Sequence, residues 1–103
     1  MNKRRVVITG LGTISPLGIG VPENWANVVA ARSGISRVTS FDTTEYPSQI
    51  AGQVKGFEAA RYIPEKDARH MDRFIQLGVA AGIEAMRDSG LEINEANAHR
   101  IGV

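Results

Sequence analysis

The sequence contains no cysteine. Disulfides, thiolate metal sites and a cysteine nucleophile are therefore excluded from these 103 residues. The absence fits a reducing compartment. An excess of charge is also missing: twelve Lys and Arg stand against eleven Asp and Glu, a formal net charge of +1. That balance, with aromatics at 6%, argues against a nucleic-acid binder. No stretch is long and apolar enough to span a bilayer. The basic start of MNKRRVVITG leads into a short apolar run and a glycine-rich turn, so it reads as a strand and not as a signal peptide. A soluble, cytoplasmic protein without membrane or nucleic-acid partners is expected. The length suits one small domain with a modest core.

What is present is organised around residues 64–90. Wound at about 100° per residue, residues 71–89 sort into two sides. Asp72, Arg73, Gln76, Glu84, Arg87 and Asp88 share one arc. Phe74, Ile75, Val79, Ala81, Ala85 and Met86 lie opposite, with Met71, Gly78 and Gly82 at the centre of that apolar side. The pattern predicts a helix buried through its apolar side. Each internal glycine costs a helix roughly 1 kcal/mol against alanine. The Gly78 and Gly82 pair therefore predicts either plain packing or close backbone approach by another element. Gly90 suits the left-handed position that ends the helix, with Leu91 as its hydrophobic contact.

Pro64 fits a first helical position. In a helical turn, Lys66, Arg69 and His70 fall on one face, joined by Arg73 if the helix is continuous, while Glu65, Asp67 and Asp72 point elsewhere. Positive charge near a helix N-terminus opposes the macrodipole, so this stripe does not serve the helix. It is either a solvated face or a docking site for something acidic.

Upstream, Val6, Val7, Ile8 and Thr9 run without alternation and predict a strand over 5–9 covered on both faces, as in a parallel sheet. Pro22 and Glu23 open a helix whose Trp25, Val28 and Val29 face the core and which Gly34 ends. Residues 36–48 read as loop, 49–54 as a short strand and 57–62 as one helical turn. Asn94 suits the cap of a turn through Asn97, and residues 100–103 begin a further strand. This β-α-β-α-β order predicts a parallel α/β sheet. Too little material is present to cover such a sheet, so the chain is expected to be the front portion of a larger fold.

Gly10-Leu11-Gly12 after a strand invites a dinucleotide-binding alternative. Ser15 stands at the third glycine position, however, and no helix opens before Pro22, where the pyrophosphate would need one. His70 and His99 have no metal-ligand spacing, and no carboxylate pair or Ser-His-Asp set is legible. On residues alone, the chain is the first part of a parallel α/β enzyme whose chemistry lies elsewhere.

The opening RRVVITGLGTISPLG (4–18) resembles the start of the β-ketoacyl-acyl-carrier-protein synthases, the condensing enzymes of type II fatty-acid synthesis. Similar matches are WANVVAARSGI (25–35), FDTTEY (41–46), AGQVKGF (51–57), MDRFIQLG (71–78), AMRDSGLEI (85–93) and NAHRIGV (97–103). Together they cover nearly the whole chain in order and most resemble the elongating synthase II branch. The resemblance implies a thiolase-like α/β fold, layered αβαβα and incomplete here, with residues 1–103 forming part of its N-terminal half, in a homodimer. It implies a ping-pong reaction in which a cysteine takes an acyl group from acyl carrier protein and malonyl carrier protein then loses CO2. The resulting carbanion attacks the thioester, aided by two histidines and an oxyanion hole. No metal or dissociable cofactor is implied. The family's cysteine and histidines lie beyond the equivalent of Val103, so this chain carries no catalytic residue and is expected to be inactive alone. The alternative is a non-catalytic fragment that binds carrier protein or another subunit. The resemblance also implies that Lys66, Arg69 and His70 contact the acidic helix of the carrier protein. His70 replaces the family's usual lysine, which makes its contribution pH-dependent near neutrality.

Overall fold

Backbone lies directly on backbone where the N-terminal segment crosses the long helix, and glycine makes this possible. The computed structural model of the chain describes residues 2–103. In order it contains β1 (Ile14–Ser15), β2 (Gly18–Ile19), α1 (Val21–Val29), β3 (Ile35–Arg37), β4 (Ile50–Gly52), a 3-10 turn (Ala59–Arg61), α2 (Glu65–Ala68), α3 (Arg73–Ser89) and a second 3-10 turn (Ala98–Arg100). A Cβ on Gly12 would fall inside the Ala81 carbonyl and 2.7 Å from the Ala85 nitrogen. One on Gly10 would meet the Ala85 carbonyl and the Ser89 nitrogen, the latter at 2.6 Å. The close packing expected at Gly78 and Gly82 is not found there; Gly10 and Gly12 make the close approach instead. Gly78 and Gly82 face open space, with nothing within 4 Å of an added Cβ.

β1 and β2 pair antiparallel, Ile14 opposite Ile19 and Ser15 opposite Gly18. β3 and β4 form a second antiparallel ribbon, with Ile35 opposite Gly52 and Arg37 opposite Ile50. Pro16 joins the two ribbons. Its ring lies so near Gly34 and Gly52 that an added Cβ at either would come within 2.9 Å of it. Gly34 is thus a packing glycine and not the end of α1. That helix stops at Val29, and Ala31 takes the left-handed turn at φ 54°.

The parallel sheet expected from the order of elements is absent among the described residues. Both ribbons close through local chain, which favours antiparallel pairing. Residues 5–9 have no ladder partner among the described residues, and Val6 is 91% exposed. Residues 101–103 are likewise outside any strand. The start of the long helix is also interrupted. Asp72 takes an extended conformation (φ −64°, ψ 157°) and separates α2 from α3. Its end follows expectation, with Gly90 left-handed at φ 66°. The helical turn near 57–62 appears as the 3-10 turn, and Asn94 caps its own turn by accepting the Ala96 N–H at 2.9 Å.

The core is small. Ile63 and Ala80 are the buried hydrophobic residues among those described. The radius of gyration is 17.7 Å over extents of 57 × 38 × 23 Å. A compact domain of this length would have about 13 Å. The chain is a frame more than a filled globule.

Polar groups hold that frame. Glu84 on α3 accepts the backbone N–H of Thr13 at 2.9 Å and of Val21 at 2.8 Å. Asp88, one turn on, accepts the Leu11 N–H at 2.9 Å. Asn24 of α1 is 92% buried by its 8% exposure and donates to the carbonyls of Gly18 and Gly20, each at 2.8 Å, while accepting from Ser15 Oγ. Trp25, expected as a core anchor, is 66% exposed. The neighbouring asparagine has the buried position instead, because the chain packed there is a turn with carbonyls to satisfy.

Candidate functional site

The stripe Lys66, Arg69 and His70 lies on α2 and the turn after it. Pro64 caps α2 and does not enter it: its carbonyl accepts the N–H groups of Asp67 and Ala68, each at 3.0 Å. Arg69 continues in helical conformation, and the turn persists through His70 N–H to Asp67 O and Met71 N–H to Ala68 O, both 3.1 Å. Lys66, Arg69 and His70 are all exposed. The three therefore lie exposed along α2 and the turn that follows it.

Arg73 does not join them. The break at Asp72 turns it away, and its guanidinium donates to the Val54 carbonyl at 3.1 Å and sits 5.8 Å from the centroid of the Phe57 ring. It lines a groove together with Thr39, Ser40, Gln53, Val54 and Lys55. The stripe therefore has three members, not four.

Charge on the stripe is unequal. Arg69 Nη2 is 2.8 Å from Glu65 Oε1 one turn back, in an exposed pair. Glu65, expected to point elsewhere, thus partly neutralises the stripe it borders. Lys66 has no ion pair among the described residues. The signal for the Glu65–Arg69 pair was in the sequence, since acid and base at i and i+4 meet on a helix.

The glycine-rich turn does not form a nucleotide site. Gly10 and Gly12 are pressed against α3, and the N–H groups of Leu11 and Thr13 are taken by Asp88 and Glu84. A phosphate would need those donors free. One groove beside it, about 220 Å³, is lined by Leu11, Thr13, Val21, Trp25 and Val28, none of them charged. His99 lies exposed on the last 3-10 turn. Among the described residues no group of His, Asp and Glu could hold a metal ion, and no helix is long and apolar enough to cross a membrane.

Comparison with known proteins adds a further finding. The family model described as "Beta-ketoacyl synthase, N-terminal domain" matches residues 3–103. A protein of Vibrio cholerae named "3-oxoacyl-[acyl-carrier-protein] synthase 2" is 55% identical over 103 residues, all of this chain and 25% of that relative. A protein of the same name from Coxiella burnetii is 48% identical, again over all of this chain and 25% of the relative. One from Staphylococcus aureus is 45% identical over 97% of this chain and 24% of its own length. The chain thus spans about a quarter of the curated relatives it matches. Among solved structures, "The ishigamide ketosynthase/chain length factor" superposes with a TM-score of 0.77 at 41% identity, over 88% of this chain and 23% of that one.

Proposed function

The chain belongs to the β-ketoacyl synthase family and has the thiolase-like mixed α/β architecture of that family's N-terminal domain; from that premise we propose that it is the N-terminal portion of a 3-oxoacyl-acyl-carrier-protein synthase 2. The whole enzyme would join an enzyme-bound acyl group to malonyl carrier protein with loss of CO2, in fatty-acid elongation, as a cytoplasmic homodimer. The observation that carries this is the match along the full chain at 55% identity to a relative so named. A nucleophilic thiolate is needed for the acyl-enzyme step, and these residues contain none. The segment's part is then structural and recognitional: it supplies a frame and a positive edge. The isolated 103-residue chain should release no CO2 from malonyl carrier protein, whereas the full-length polypeptide should do so. Turnover by the isolated chain would overturn the assignment of roles.

The docking edge is Lys66, Arg69 and His70, and the partner is the acidic carrier protein in its acyl and malonyl forms. Support comes from the exposure of all three along one short turn. Rim charges of this kind mostly set encounter rate and salt sensitivity. In the full-length enzyme, Lys66→Glu with Arg69→Glu should slow carrier-protein association about tenfold or more at low salt, with little effect at high salt. Unchanged association at low salt would remove the docking role.

A further inference from the structure

We propose that Glu65 is a built-in competitor for the carrier protein: its carboxylate engages Arg69, and the partner's acid must compete with it for that guanidinium. The inference rests on the docking role proposed above and concerns how that edge is tuned. Three observations carry it. Arg69 Nη2 and Glu65 Oε1 are 2.8 Å apart, so one of the guanidinium's donors is already engaged and its charge partly matched. Both side chains are exposed, at 72% and 77%, so nothing but the pair itself holds them, and an exposed pair is readily exchanged. Lys66 on α2 has no ion pair among the described residues and can meet the partner directly.

The two cations then differ in kind. Lys66 gives an uncompensated positive charge that acts at long range. Arg69 gives a planar fork suited to a carboxylate, but one whose Nη2 Glu65 already engages. Because the internal acid sits one helical turn away, it has a high effective concentration at Arg69. It also lowers the net positive potential felt by an approaching acidic helix. Glu65 therefore acts through Arg69 and makes the edge weaker and less salt-sensitive than its cations alone would make it.

The test measures association of purified carrier protein with the full-length enzyme by stopped-flow fluorescence, across a salt series. Glu65→Gln keeps the shape and removes the charge. It should raise the association rate and affinity about two- to fivefold at low salt, and the gain should fade as salt rises. In an Arg69→Gln background the same change should give a clearly smaller gain, because the competed group is gone. Lys66→Glu serves as the control for the docking role. If Lys66→Glu weakens binding while Glu65→Gln leaves it unchanged or weaker, the competition is overturned and the docking role stands. If the gain persists undiminished with Arg69→Gln, Glu65 does not act through Arg69 and the proposal is likewise overturned. If Lys66→Glu also has no effect, the docking role itself fails and the competition with it.

Discussion

On the polar side of α3, Ala80 is fully buried, and Glu84 and Asp88 hold the backbone of residues 11–21. On its apolar side, Phe74 is 72% exposed, and Gly78 and Gly82 have open space above them. α1 repeats the contrast: Asn24 is buried against the β1–β2 turn, while Trp25, Val28 and Val29 lie exposed. The difference follows from what each side packs against. Turns and helix starts present N–H and C=O groups without ladder partners, and these must be satisfied by side-chain donors and acceptors. An apolar side needs another apolar surface. In this chain the irregular backbone is supplied locally, and the apolar counterpart is not.

The largest effect that would break this contrast comes at the backbone crossing. Gly12→Val places a branched side chain where even a Cβ overlaps the Ala81 carbonyl, and helix backbone has little room to yield. We expect a loss of about 4 kcal/mol or more in the full-length protein, read from the urea midpoint at constant m. Gly78→Ala, on the open side, has no such clash and removes a helix-interior glycine. With open space above it, this change should stabilise by up to about 1 kcal/mol. Where further chain covers the apolar side, as expected over Phe74, that gain should be lost. A cost of similar size to Gly12→Val at both sites would mean that α3 is tightly packed all round.

Phe74→Ala sharpens the same point. With the ring in solvent, truncation should change stability by no more than about 0.5 kcal/mol. With the ring covered, it should cost about 3 kcal/mol or more. The relatives are about four times as long as this chain. We therefore expect the larger cost in the full-length protein, measured by denaturant unfolding. A near-neutral result would make the apolar side of α3 a true surface.

Much of this organisation was legible in the residues. The length of α3, its left-handed stop at Gly90 and the exposed grouping of Lys66, Arg69 and His70 follow from spacing and cap chemistry. Within the described residues, however, Trp25 is exposed and the strands pair antiparallel. Hydrophobic periodicity tells which side of a helix seeks an apolar partner, but not whether that partner lies within the same stretch of chain. The roles of Glu84 and Asn24 were hidden for a related reason. Acids and amides on a helix usually mean solvent, and only the path of the 11–21 backbone turns them into clamps. The close approach at Gly10 and Gly12 was not legible, since their steric need depends on contacts across about seventy positions or more, as in Gly12 to Ala81 and Gly10 to Ser89.

Removing a clamp should cost less than inserting a clash. Glu84→Ala leaves the N–H groups of Thr13 and Val21 without their acceptor in a part-buried setting. About 2 kcal/mol should be lost. Glu84→Gln keeps an acceptor oxygen and should retain part of this. Amide exchange at Thr13 and Val21 provides the local measurement: both should speed up in the alanine variant, ahead of amides within α3. Unchanged protection would mean that the glycine crossing alone holds the segment.

The smallest effect lies in the loop between β3 and β4, where a polar turn again does the ordering. Asp42 accepts the Thr44 backbone N–H at 3.0 Å and also the Thr44 hydroxyl, beside the edge-to-face pair of Phe41 and Tyr46. These bonds, the side-chain one first, hold the Asp42 carboxyl below its ordinary value of 3.8. A lowered pKa means that the folded state binds its proton less readily than the unfolded one. The contribution is therefore fully present above the unfolded value and is lost as pH falls through the folded one. Asp42 is fully exposed, so the stabilisation is slight and screened by solvent. An NMR titration of its carboxyl should give a midpoint below 3.8, and Thr44→Val should move that midpoint upward by removing the larger of the two bonds. Were the midpoint unmoved in Thr44→Val, the hydroxyl would not be ordering this turn, and the rule that polar groups hold the irregular backbone would stop at the clamps on α1 and α3.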